Sequence, residues 1–144
     1  MLAAVDSNGV VGERTSVLLI EDDPDLGLLM VDILAAHRDI EASLVGHPSA
    51  IAADASPDIV VTDLFGSAWY DRAIAACQLE DLRRRFPRVP IILVTAHWEA
   101  EADRALLPVD AVMLKPFDVD ALDQLVLSFD AARASAEPQG AMEA

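Results

Sequence analysis

Cysteine is almost missing from this chain: Cys77 stands alone among 144 residues. A single thiol excludes an internal disulfide framework and suits a reducing, cytoplasmic compartment. Histidine is nearly as scarce, and His37, His47 and His97 are too scattered for a Cys/His metal spacing. No apolar run approaches the ~18 residues needed to span a membrane. The opening residues lack a basic start ahead of an apolar stretch, so they do not read as a secretory signal. Positive charge is also short: 10 Lys and Arg against 25 Asp and Glu leave a formal charge of −15. That field repels polyanions, so no direct nucleic-acid binding is expected. The one basic cluster, Arg83-Arg84-Arg85 followed by Arg88, would fan around a helix without forming a stripe and is expected to be a solvated face.

What is present is apolar bulk, 53% of the residues, enough for one domain with a sizeable core. It comes in short continuous runs at 17–20, 59–61, 91–94 and 111–114, with a weaker one at 43–45 suited to a sheet edge. Continuous rather than alternating runs predict parallel strands covered on both faces. Between them lie helical patterns. Leu26, Leu29, Ile33 and Leu34 follow Asp23 as a cap and Pro24 at the first position. A short helix is expected over 50–54 and a longer one over 70–86, with Ile74, Leu82 and Phe86 inward. A further short helix is expected over 98–107. Val119, Leu122, Leu125, Val126 and Phe129 make a stripe after Asp118. Five β-α units predict a doubly wound α/β fold, one five-stranded parallel sheet in order 2-1-3-4-5 with helices on both faces. The domain is expected over 16–135, with a loose arm at 1–15 and a tail or linker stub at 136–144.

In such sheets, sites form at the carboxyl ends of the strands. Glu21 and Asp22 follow the first run, Asp63 the third, Thr95 the fourth and Lys115 the fifth; the second ends in Gly46-His47 and offers nothing evident. Neighbouring first and third strands would bring Glu21, Asp22 and Asp63 to one pocket. Carboxylates so gathered need a counter-charge, and a hard divalent cation such as Mg²⁺ fits all-oxygen ligands. With Lys115 and Thr95 neutralising phosphoryl oxygens, Asp63 could attack phosphorus and form an aspartyl phosphate.

The segments "VLLIEDDPDL", "PDIVVTDL", "PIILVTAH" and "VMLKPF" resemble the four signature segments of response-regulator receiver domains, from about residue 17 to about 135. The resemblance implies a flavodoxin-like fold and Asp63 as acceptor of a phosphoryl group from a sensor histidine kinase or a histidine phosphotransfer protein. It implies Mg²⁺ held by Asp22 and Asp63 directly, by Glu21 through water, and by the backbone carbonyl of Phe65. Thr95 would bond a phosphoryl oxygen and shift on activation, Lys115 would pair with the phosphate, and Lys115-Pro116 would be cis. Asp23 is read as a helix cap rather than a ligand. The output would be a downstream protein target or an output domain elsewhere in a longer chain, with a second copy of the chain as another candidate partner.

Four departures stand out. Val112 occupies the position, three before the lysine, where the family carries a switch aromatic. The loop after Asp63 lacks the family's proline and brings Gly66 early. Asp63 to Thr95 is slightly long and Thr95 to Lys115 slightly short. Pro108-Val109-Asp110 stands in place of the usual Gly-Ala. A rebuilt loop and a short fourth helix are expected, and the alternative reading is a degenerate receiver that binds proteins without phosphorylation. In the family, the positions held here by Phe65 and His97 flank the path of an attacking water, so the resemblance implies that these two side chains could tune phosphate lifetime. Trp69, Tyr70 and Trp98 are read as packing at helix ends, with partner docking as the functional alternative and Trp98 as a stand-in for the missing aromatic. A haloacid-dehalogenase-type phosphatase would need a second Asp where Phe65 stands. A flavin-type phosphate loop is incompatible with Glu21-Asp22-Asp23.

Overall fold

The structure, a computed structural model, describes residues 4–5, 11–12, 14–66 and 68–136. The tail expected at 136–144, apart from Ala136, and most of the arm expected at 1–15 lie outside them. Within that arm, β1 (Ala4–Val5) pairs antiparallel with β2 (Val11–Gly12).

The five expected strands are present as β3 (Thr15–Ile20), β4 (Ile40–Val45), β5 (Ile59–Thr62), β6 (Ile91–Thr95) and β7 (Ala111–Leu114). They pair in parallel in the order β4-β3-β5-β6-β7, the 2-1-3-4-5 order read from the sequence. Successive side chains leave a strand on opposite faces, so Val17 and Leu19 join one core and Leu18 and Ile20 another. Helices α1 (Pro24–Ala35) and α4 (Val119–Ala136) cover the first face through Met30, Leu34, Leu122 and Val126. On the other lie α2 (Arg72–Arg85), through Ala75, Leu79 and Leu82, and the five-residue α3 (Trp98–Ala102), through Ala100.

Helix α1 starts where expected, with the Asp23 side chain accepting from the N–H groups of Asp25 and Leu26 at 3.0 and 3.3 Å. Its inward stripe is Gly27, Met30 and Leu34, and Leu29 is half exposed. The register is set by close packing on β4: a Cβ at Gly27 would stand 2.8 Å from a Leu44 methyl.

No α-helix forms over 50–54. A single 3-10 turn, Pro48–Ala50, carries the chain toward β5. The reason is composition: Ile51 is the one bulky apolar side chain there, too little burial to offset helix nucleation. The longer helix starts at Arg72 rather than 70, with Asp71 as its cap, and leaves Ile74 about half exposed. The last of the shorter helical stretches breaks into α3 and a 3-10 turn at Arg104–Leu106. The basic cluster is not simply a solvated face. Arg83 bonds Val89 O at 2.8 Å and Asp110 Oδ2 at 2.8 Å, Arg84 pairs with Asp81, and Arg85 donates to Ala52 O at 2.5 Å. Among the described residues no helix is long and apolar enough to cross a membrane.

Candidate functional site

Parallel pairing of β3 with β5 and of β6 with β7 brings the residues just past their carboxyl ends together. Glu21 follows β3 and is buried, 3% exposed, while Asp22 beside it is open to solvent. Asp63 follows β5, the buried Thr95 ends β6, and Lys115 follows β7. Carboxylate oxygens of Glu21, Asp22 and Asp63 lie within 4.8 Å of one another. Lys115 Nζ reaches two of the three, standing 2.7 Å from Glu21 Oε1 and 2.7 Å from Asp63 Oδ2. The other Glu21 oxygen accepts from Asp23 N–H at 3.1 Å, and Asp63 Oδ1 accepts from Leu64 N–H at 2.7 Å. Thr95 Oγ1 accepts from His97 N–H at 3.2 Å. The Lys115-Pro116 bond is cis.

Electrostatics follows from this geometry. Burial pushes the Glu21 carboxyl above the usual glutamate range, even against its bonds from Lys115 and the Asp23 N–H. Burial works against the Lys115 charge, yet its bonds to Asp63 and Glu21 outweigh that and hold the ammonium above its ordinary value. Two like charges about 4 Å apart repel by on the order of 4 kcal/mol at an effective dielectric of ~20. Three carboxylates with one ammonium therefore leave an uncompensated cluster. Its donors are all hard oxygens, and the exposed Asp22 leaves it open to solvent, which is the donor set a Mg²⁺-sized ion takes.

No family model matches the chain. Over 107 residues it is 31% identical to the transcriptional regulatory protein BaeR of Escherichia coli, covering 70% of this chain and 42% of that protein. The chain thus spans less than half of that relative's length. In structure it is similar to a response regulator from Thermotoga maritima, with a TM-score of 0.68 at 15% identity over 81% of this chain and 97% of that one. It is also similar to the receiver domain of NtrX from Brucella abortus, with a TM-score of 0.62 at 21% identity over 78% and 96%. The chain has the fold of a response-regulator receiver domain and is similar in sequence to a response regulator.

Around its acid cluster the domain holds features that the sequence reading did not anticipate. The Phe65 peptide is clamped by Gln78 of α2: Gln78 Nε2 donates to Phe65 O at 2.6 Å and Phe65 N–H donates to Gln78 Oε1 at 3.0 Å. The signal was available, since Gln78 stands at i+3 on the stripe Ala75, Leu79, Leu82, where a polar side chain must find a partner. Gly66 at φ +92° turns the chain directly afterwards, a left-handed conformation that favours glycine. The Phe65 ring packs with Ile20, Ile51 and Leu82 and meets the edge of the His47 ring at 5.3 Å. His47 therefore matters at the end of the second strand, where nothing was expected. A cavity of about 350 Å³, lined by His47, Ile51, Phe65, Gln78 and Arg85 among others, opens between the 3-10 turn and α2.

The missing aromatic has a structural answer as well. Val112 joins the cluster of Leu93, Ala100 and Leu107, and Tyr70 brings a ring into that cluster from the β5–α2 loop. The Tyr70 hydroxyl donates to Asp103 Oδ2 at 2.7 Å, and its ring lies 6.0 Å from that of His97. Burial, together with the Asp103 carboxylate, pushes the Tyr70 hydroxyl well above the ordinary tyrosine range. Trp98 is exposed and does not fill this place; Trp69 is exposed too, so neither is core packing at a helix end.

Proposed function

We propose that the domain is the phosphoacceptor of a two-component relay. The supporting observation is the meeting of Glu21, Asp22, Asp63 and Lys115, residues far apart in the chain, at one strand end. An Asp63 carboxylate oxygen attacks the phosphorus of a phosphohistidine on a sensor kinase or histidine phosphotransfer protein. The P–N bond breaks, a P–O bond forms, and the imidazole leaves. Lys115 already touches Asp63 and moves with it onto a phosphoryl oxygen. The Thr95 hydroxyl offers a donor to another. Glu21, Asp22, Asp63 and the Phe65 carbonyl would hold Mg²⁺, which when bound supplies hard positive charge to offset the phosphoryl oxygens. His97, whose N–H donates to Thr95 and whose ring lies tilted 6.0 Å from that of Tyr70, is the rim residue that would screen the acyl phosphate from water. Phe65 acts through its carbonyl, its ring being packed beneath His47.

Incubation with acetyl phosphate and Mg²⁺, followed by intact mass, tests the reading. A phosphoryl adduct that is absent in Asp63→Asn is expected. Failure to form an adduct in the unaltered protein would assign the domain to phosphorylation-independent protein binding.

A further inference from the structure

The two tryptophans of the chain, Trp69 and Trp98, both stand in solvent, 84% and 69% exposed. They come from different elements, Trp69 from the β5–α2 loop and Trp98 from the first position of α3. The fold nevertheless brings together the segments that carry them. The rings of their sequence neighbours, Tyr70 and His97, lie 6.0 Å apart, and Trp69, Tyr70, Ile74 and His97 line one shallow cleft, with Trp98 the next residue along the chain. Ile74 adds an aliphatic side chain that is itself about half exposed. Below, the Tyr70–Asp103 bond fixes the floor. Large aromatic rings held at one place in water are unusual on a monomer surface and are the residues that anchor interfaces.

The charge around the rings selects the partner. Asp71 lines the cleft, Asp103 bonds the Tyr70 hydroxyl, Glu99 lies close enough to act on that hydroxyl, and Glu101 follows on the same short helix as Trp98 and Glu99. Against these four carboxylates stand Arg72 and Arg104, the second lying 3.8 Å from Glu101. A second copy of this chain brings the same formal charge of −15 and is repelled. We propose that Trp69, Ile74 and Trp98 form a docking surface for an amphipathic segment of a partner protein that carries Lys or Arg beside its apolar side chains. The apolar side chains cover the rings, and the basic heads meet the acidic rim and the faces of the indoles.

A fluorescein-labelled amphipathic Leu/Lys helix, with a Leu/Glu helix of the same pattern as control, tests this by anisotropy without any phosphodonor. Its outcome is therefore independent of the phosphoacceptor reading. Saturable binding of the Leu/Lys helix alone is expected, weakened about tenfold or more by Trp69→Ala or Trp98→Ala. Glu99→Gln should weaken it less, and added salt should weaken it further. Circular dichroism on each variant establishes that the fold is intact. No binding, or binding unchanged in both tryptophan variants, would overturn the proposal. So would self-association in sedimentation that Trp98→Ala abolishes, which would give the face to a second copy.

Discussion

Both ends of the parallel sheet gather carboxylates, and they treat them in opposite ways. At the amino end, Asp58 accepts from Ser16 N–H at 2.8 Å and Asp130 accepts from the Thr15 hydroxyl at 2.7 Å. Arg133 adds its guanidinium at 3.1 Å from Thr15 Oγ1, 3.4 Å from Asp130 and 3.8 Å from Asp58. The acids there are satisfied by groups of the fold itself, and the cluster ties α4 to the foot of β3. At the carboxyl end, three acids gather around one ammonium, Lys115, which pairs with Glu21 and Asp63 but not with Asp22, and Glu21 is buried. A charge cluster closed by its own partners is a structural joint. One left short of positive charge, and open to solvent through Asp22, has been kept for something that arrives.

The largest test of this contrast is Lys115→Met. Removing one partner of a buried ion pair leaves the other charge stranded, at a cost of roughly 3–5 kcal/mol. Lys115 is about one-fifth exposed, so a loss near 3 kcal/mol is expected in urea unfolding with chelator present. Mg²⁺ should restore part of it, because an ion bound only by the folded state stabilises it. An unchanged urea midpoint would show that Lys115 does not hold the cluster together. The pH dependence sharpens the same test. Lys115 has a raised folded-state pKa, so its contribution is complete below the ordinary lysine value of 10.5 and is lost as pH rises through the folded value. Glu21 is an acid with a raised pKa, so the folded state binds its proton more readily. Stability therefore falls as pH rises from 4.5 through the folded value, and is flat beyond it. The alkaline decline should be missing in Lys115→Met and the acidic one should remain.

At the opposite end, Arg133→Met should cost less, about 1–2 kcal/mol, since Asp58 and Asp130 keep their backbone and hydroxyl donors. Thermal unfolding with and without Mg²⁺ measures it. The gain on adding Mg²⁺ should match that of the unaltered protein, and a changed gain would mean the two ends are coupled through the sheet.

The strands and the meeting of side chains beyond them were legible for one reason: buried parallel strands leave continuous apolar runs, and the residue after each run stands at the carboxyl edge of the sheet. Glu21, Asp22, Asp63, Thr95 and Lys115 could be placed together from that alone. Elements that depend on tertiary contacts were less legible. The α1 stripe shifted because Gly27 lets the helix lie on Leu44, a contact invisible in helical periodicity. The helix expected over 50–54 failed for lack of bulk. Arg83 and Arg85 looked like a charged face because nothing local shows that Asp110 and the Ala52 carbonyl will stand opposite them. The Tyr70 ring, packed against the same buried cluster as Val112, belongs to the same class, an aromatic delivered across the fold rather than along the chain.

The smallest effect concerns the boundary between the joint and the site. Gln78 donates to the Phe65 carbonyl at 2.6 Å, the oxygen proposed to face Mg²⁺. A carbonyl has two lone pairs, so the bond does not block a metal. It does fix the direction of the oxygen toward α2, whereas Mg²⁺ demands near-octahedral ligands at ~2.0–2.1 Å. Gln78→Ala frees the peptide to turn. Mg²⁺ should then bind about threefold tighter, ~0.6 kcal/mol, while the reciprocal pair of bonds is lost and the unfolding temperature drops by a few degrees. Calorimetric titration with Mg²⁺ reads the first and a thermal melt the second. Weaker Mg²⁺ binding in Gln78→Ala would reverse the assignment: Gln78 would then be holding the carbonyl toward the ion, and the clamp would belong to the site rather than to the scaffold beside it.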